Sequence, residues 1–217
     1  MSEASLSEYE LNEMHKGLLR TMDRAKNGKK FKTELVDALT KGFPIDHKYY
    51  KYGSDSLLHR SLWDNHNVTQ ILLDLGADVN VEDHNGMNAL LIAAYNFKPC
   101  YDHEGNSIIP PYFKEILAKT EDVNKVPHRR IGATALGLLC MKYCQSQTES
   151  MMGAIKMLLD AEADIDAGID WLKIYTGADC KQYYEVGEKL KAYISMYVQQ
   201  KTNFMNGQEY ACYDYEL

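Results

Sequence analysis

No stretch of this 217-residue chain stays apolar for the roughly 18 positions a membrane-spanning helix requires, so a helical span is excluded on length alone. Positive charge is in deficit. Lys and Arg number 24 against 31 Asp and Glu, a formal charge of −7, whereas general nucleic-acid binding needs a basic surface that displaces counterions. Cysteine is sparse and odd in number: Cys100, Cys140, Cys144, Cys180 and Cys212 include no Cys-x-x-Cys pair, which argues against a disulfide framework. A reduced, cytoplasmic setting is the expectation. The opening Met1-Ser2-Glu3-Ala4-Ser5 is polar and acidic and lacks the apolar core of a signal peptide. Catalytic signatures are missing as well: no Gly-x-Ser-x-Gly elbow, phosphate-binding glycine loop, dinucleotide turn or His-Glu-x-x-His pair occurs. His59 and His66 lie seven apart, too far to share a helical turn. Cys140 and Cys144 lie four apart on an expected helix and read as buried helical thiols. No enzyme activity, cofactor or metal site is expected.

What is present is periodicity. Hydrophobic residues at 45% and charged residues at 25% are enough to build a packed core, so wholesale disorder is excluded. Leu72-Leu73-Asp74-Leu75-Gly76-Ala77-Asp78-Val79-Asn80 recurs as Ile116 to Asn124 and as Leu158 to Asp166, with a fainter copy at Val36 to Asp46. The closing Asn or Asp falls at 46, 80, 124 and 166. Such steps signal supersecondary units that bury each other's apolar faces. Asp78, Asp122 and Asp164 recur with the period, so they read as turn formers before catalytic carboxylates.

Each unit has helix punctuation. Residues 7 to 27 read as a first helix with a Ser7-to-Glu10 capping box and an apolar face of Leu11, Met14, Leu18, Met22 and Ala25. Thr33 to Thr40 reads as a second helix, after a basic run (Lys26 to Lys32) expected to be a solvated loop. Ser56, Asn88 and Thr134 are the expected N-caps of later helices, and Gly76 is the expected left-handed end of Val68 to Leu75.

The chain here resembles the ankyrin repeat, whose unit opens on Gly-x-Thr-Pro-Leu-His and closes on Leu-Leu-x-x-Gly-Ala-Asp-Val-Asn. The closing motif is nearly ideal at 72–80, good at 158–166 and weaker at 116–124. The opening motif is partial: Leu57, Ala89 and Ala135 replace its proline, and only His59 keeps its histidine, where it would organise the turn. The resemblance implies an all-α, ankyrin-type solenoid of stacked helix-turn-helix repeats with capping helices at both ends. Its expected divisions are an N-terminal cap at 1–30, repeats at 31–168 (about 31–50, 51–82, 83–126 and 127–168), a C-terminal cap at 169–204, and a flexible tail at 205–217 that is acidic and rich in tyrosine. All form one structural domain. The third unit is longer than the second by a dozen residues near Phe97 to Pro111, and the fourth by eight near Tyr143 to Met151. Both extras are expected as loops between paired helices.

By the same resemblance, turn tips and the outer side of each first helix make a concave binding face. It holds Tyr52, Asp55, Trp63, Asp64, His84, Asn85, Met87, Tyr95, Asn96, Arg129, Arg130, Met141 and Lys142. Trp, Tyr and Arg are the types that most often dominate interface energy. The leading expectation is a non-catalytic, monomeric protein-interaction module. Its partner would be another protein, the negative charge suiting a basic target of an inhibitor or immunity-type protein, and neither nucleic acid nor membrane. Two other classes stand beside it: an assembly subunit of a larger complex, and an enzyme using Cys100, His103 and Glu104 in the longer insertion.

Overall fold

In the computed structural model, which describes residues 6–24, 28–49, 55–64, 66–128, 132–175 and 184–205, helix α1 (Glu8–Arg24) starts at the expected capping box. The Ser7 amide donates to Glu10 Oε2 at 2.8 Å, and the Glu10 amide donates back to Ser7 Oγ at 3.4 Å. His15, Leu18 and Met22 recur at helical spacing and are buried. Helix α2 (Lys29–Thr40) follows, with Phe31, Leu35 and Ala38 inward. Lys29 to Lys32 of the basic run are not a loop: they form the first turn of α2, because the fully buried Phe31 draws that turn onto the core.

Four more pairs follow. They are α3 (Leu57–Asp64) with α4 (Thr69–Asp74), α5 (Ala89–Tyr95) with α6 (Pro111–Lys119), α7 (Ala135–Ser146) with α8 (Glu149–Asp160), and α9 (Ile165–Tyr175) with α10 (Tyr184–Met205). The first members touch in order, α1 to α3 to α5 to α7 to α9. A close approach makes the last step possible, since a Cβ on Gly168 of α9 would stand 2.8 Å from Leu136 Cδ2 of α7. One apolar cluster runs from Leu18 and Met22 to Leu190 and Ile194. The described residues are mostly helical; their only sheet is the hairpin of β1 (Cys100–Tyr101) and β2 (Ser107–Ile108). No helix among them is long and apolar enough to cross a membrane.

The N-caps fall where expected. Asn88 Oδ1 accepts from Leu91 N at 3.0 Å, Thr134 Oγ1 from Gly137 N at 3.3 Å, and Ser56 Oγ from His59 N at 3.4 Å. Such caps are worth about 1 kcal/mol each. Second helices end on a shared device. Phe43 N bonds Ala38 O, Ala77 N bonds Leu72 O and Ala163 N bonds Leu158 O, each at 3.0 Å, after a left-handed residue at Gly42, Gly76 or Glu162. Thr120 departs from this pattern, leaving α6 with an extended backbone (φ −75, ψ 126).

The closing Asp and Asn residues link consecutive pairs. Asp46 Oδ1 accepts from Asp78 N at 3.0 Å, Asn80 Oδ1 from Glu121 N at 2.9 Å and Asn124 Oδ1 from Asp164 N at 2.6 Å. Asp78 and Asp122 form the expected side-chain turns, accepting from Asn80 N and Asn124 N, while Asp164 caps α9 through Ala167 N.

Helix α1 packs on α2 as its pair and on α3 as the head of the first-helix row. The last pair begins at Ile165, directly after Asp164. The eight extra residues near Tyr143 form no loop; they lengthen α7 and α8 to 12 residues each, and a left-handed Gln147 and a Thr148 cap make the junction. The dozen near Phe97 to Pro111 fold as the β1–β2 hairpin, with Pro111 opening α6. That hairpin is anchored: Ser150 N at the start of α8 donates to Ser107 Oγ at 3.3 Å, and Ile109 lies where a Cβ on Gly153 would fall. The tail from 206 onward lies outside the described residues.

Candidate interaction surface

Three of the expected face residues form a row across consecutive first helices. Trp63 of α3 meets Tyr95 of α5 edge-on, ring centroids 5.4 Å apart, and Lys142 Nζ of α7 stands 5.6 Å above the Tyr95 ring. All three are half-buried, and Trp63 and Tyr95 pack against the core. Such edge-to-face and cation–π contacts hold aromatic side chains in place while leaving their outer edges available. One turn earlier on α3, Arg60 Nε pairs with Asp64 at 2.5 Å on the exposed side.

The remaining assignments divide. Asn96 organises structure: its Nδ2 donates to Leu62 O at 2.7 Å and Trp63 O at 2.9 Å, satisfying carbonyls at the end of α3. Met141 is half-buried against the core. Met87 is a correction. It is 3% exposed, because its backbone joins the Asp83 turn and the residue faces inward. Tyr52, Arg129 and Arg130 lie outside the described residues.

At the turn tips, Asp83 is the organiser that the sequence reading did not place in the site. Its Oδ1 accepts from Asn85 N (2.8 Å) and Met87 N (2.9 Å), and its Oδ2 from Asn85 Nδ2 (3.2 Å). Gly86, at φ 80, completes the turn, and a Cβ there would collide with the His128 ring of the next unit. The readable signal was Asp-His-x-Gly, which occurs twice. At 102–105 it builds the tip of the hairpin, with Asp102 Oδ1 accepting from Glu104 N and Asn106 N at 2.9 Å each. Bonds from Asn106 hold the exposed Asp102 carboxyl below its ordinary value.

Asp55 lies just before α3, facing the Asp83 turn. Burial first, and the Asp83 charge second, push its carboxyl up to about 6. His59 is wholly buried. Its Nδ1 accepts from Ser56 N at 3.2 Å and its Nε2 donates to Val81 O at 2.9 Å, which fixes a neutral tautomer and links α3 to the next turn. Burial lowers its pKa. This is the organising role expected of it.

Cys140 and Cys144 are buried, and burial raises both thiols, Cys144 to about 11. Cys180 and Cys212 lie outside the described residues. Cys100 sits on β1, with His103 and Glu104 at the exposed hairpin tip. Among the described residues, the one group of three metal-type side chains that converges is Asp55, Asp83 and His84. Compared with known proteins, the chain matches no family and no curated sequence.

Proposed function

We propose that this chain is a non-catalytic protein-interaction module, built as an ankyrin-type stack, that binds a partner protein along its first helices. The observation that carries the reading is the Trp63–Tyr95–Lys142 row, in which three successive helix pairs each contribute one side chain to a single strip. The stack itself is supported by the recurring links from Asp46, Asn80 and Asn124 into the next unit, and by first helices that touch in order. Trp and Tyr are residue types that concentrate binding energy when a partner desolvates them. The charge of −7 favours a basic partner, so association should weaken as salt rises.

Affinity capture with the full chain tests this, followed by titration of whatever co-elutes. Tyr95→Ser and Lys142→Glu should each weaken binding tenfold or more while leaving the thermal melt within a few degrees of wild type. Binding that both variants retain in full would remove the strip from the interface. A partner whose affinity ignores ionic strength would remove the charge argument.

A further inference from the structure

Two consecutive turns bring unlike donors to one point. Asp55 comes from the turn before α3, and Asp83 and His84 come from the turn before α5. One ligand atom from each lies within 4.8 Å of the others. We propose that these three side chains bind a zinc-class divalent cation that ties the two turns together.

The case rests on what surrounds the donors. Asp55 Oδ1 is sealed from solvent and has no hydrogen-bond partner, although its side chain as a whole keeps 15% exposure. A buried acceptor without a donor is costly, and one that faces a second carboxylate is costlier still. That second carboxylate, Asp83, is held by the amides of Asn85 and Met87 and by the Asn85 side chain. His84 Nδ1 stands 3.9 Å from Asp55 Oδ1, beyond hydrogen-bond range but across the gap a bridging ion would occupy. Arg60, whose charge reaches Asp55, is engaged by Asp64. Among the described residues, the pair of acids thus has an imidazole beside it and no dedicated Lys or Arg.

The donor set selects the ion. One imidazole nitrogen with two carboxylates suits zinc and its neighbours, with the remaining position open to water or to a partner's side chain. Calcium, which takes six to eight oxygens, is a poor match. The hairpin supplies an internal control. His103 occupies the place in its Asp-His-x-Gly turn that His84 holds in the first, but no counterpart of Asp55 completes a cluster there among the described residues.

Isothermal titration of the chelator-treated full chain with zinc chloride should show one site. His84→Ala and Asp55→Asn should each weaken it at least tenfold, and His103→Ala should leave it unchanged. Asp55→Asn keeps the shape and removes the facing charge. Without metal it should melt at or above the wild-type temperature, and it should lose the upward shift that zinc gives the wild type. Cobalt loaded in place of zinc should lack the near-ultraviolet charge-transfer band of a cobalt thiolate. Absence of zinc binding, equal affinity in His84→Ala, or a cobalt–thiolate band removed by Cys100→Ala would overturn the site.

Discussion

Gly76 and Thr120 occupy the same place in the closing motif of the second and third helix pairs, yet the chain leaves α4 and α6 in different ways. At Gly76 the backbone is left-handed (φ 90), and Ala77 N reaches back to Leu72 O. At Thr120 it is extended: Thr120 N bonds Leu117 O, and the Thr120 hydroxyl donates to Ile116 O at 2.7 Å, the carbonyl equivalent to Leu72 O. The difference propagates by one residue. Asn124 receives the amide of Asp164 and donates to Glu162 O, whereas Asn80 receives Glu121 and donates to Lys119 O, each one position earlier in the motif. Without the left-handed residue, the third turn presents its groups one residue sooner, and the Asn80 side chain still meets them. The link between units thus tolerates a change of helix ending and a hairpin inserted upstream. Side-chain amides of closing Asn residues hold the register, and the glycine ending is a local stabiliser.

The largest test of that contrast is in the core. Leu72 and Ile116 are equivalent and both fully buried. Leu72→Ala and Ile116→Ala should each cost about 2–5 kcal/mol in urea unfolding, with unchanged m-value. A much smaller loss for Ile116→Ala would mean that the hairpin-bearing pair does not share one cooperative core. Next, Gly76→Ala should cost about 1–2 kcal/mol, because the left-handed region penalises a Cβ, while Thr120→Gly should give no gain. A stabilising Thr120→Gly would show that the third ending can be converted to the second. Asn80→Ala and Asn124→Ala should then lose similar amounts, about 1 kcal/mol each, as two backbone bonds go unmade at an exposed position. A large loss in only one of them would break the equivalence of the links.

The smallest effect concerns the seam between the two pairs. His66, before α4, stacks on Tyr112 of α6 at 5.2 Å and 8°. Burial first, and Lys98 second, lower its pKa from 6.5 to about 4. Because the charged form is disfavoured in the fold, the unfolded chain binds the extra proton. Stability is then full above about 6.5 and declines as pH falls from there toward about 4. His66→Phe should remove that decline, gaining about 1 kcal/mol relative to wild type at pH 5, a figure reduced for partial exposure. Identical acid sensitivity in the variant would place the titrating group elsewhere.

Much of this was legible beforehand where chemistry is local. Ser7 with Glu10, Ser56, Asn88, Thr134 and Gly76 do what their residue types imply, because a cap or a left-handed turn depends on atoms a few residues away. The row of Trp63, Tyr95 and Lys142 was readable only as separate names, since period locates positions but not contacts. Met87 misled because alternation in a turn gives no sign of which side meets the core. The fourth unit's extra residues read as a loop because Gln145 to Ser150 is polar, yet the helix simply runs on until Gln147 turns left-handed.

The sequence alone settled that the chain is mostly helical, where several helices begin, and that its turn-forming Asp and Asn recur, since each of these follows from short-range sterics and hydrogen bonding. Only the tertiary structure decided that α1 belongs with α2, that the third insertion is a hairpin anchored on α8, and that Asp55 faces Asp83 and His84. Those outcomes depend on contacts between residues tens of positions apart, whose energies come from burying shared surface, and no local pattern encodes which surfaces will meet.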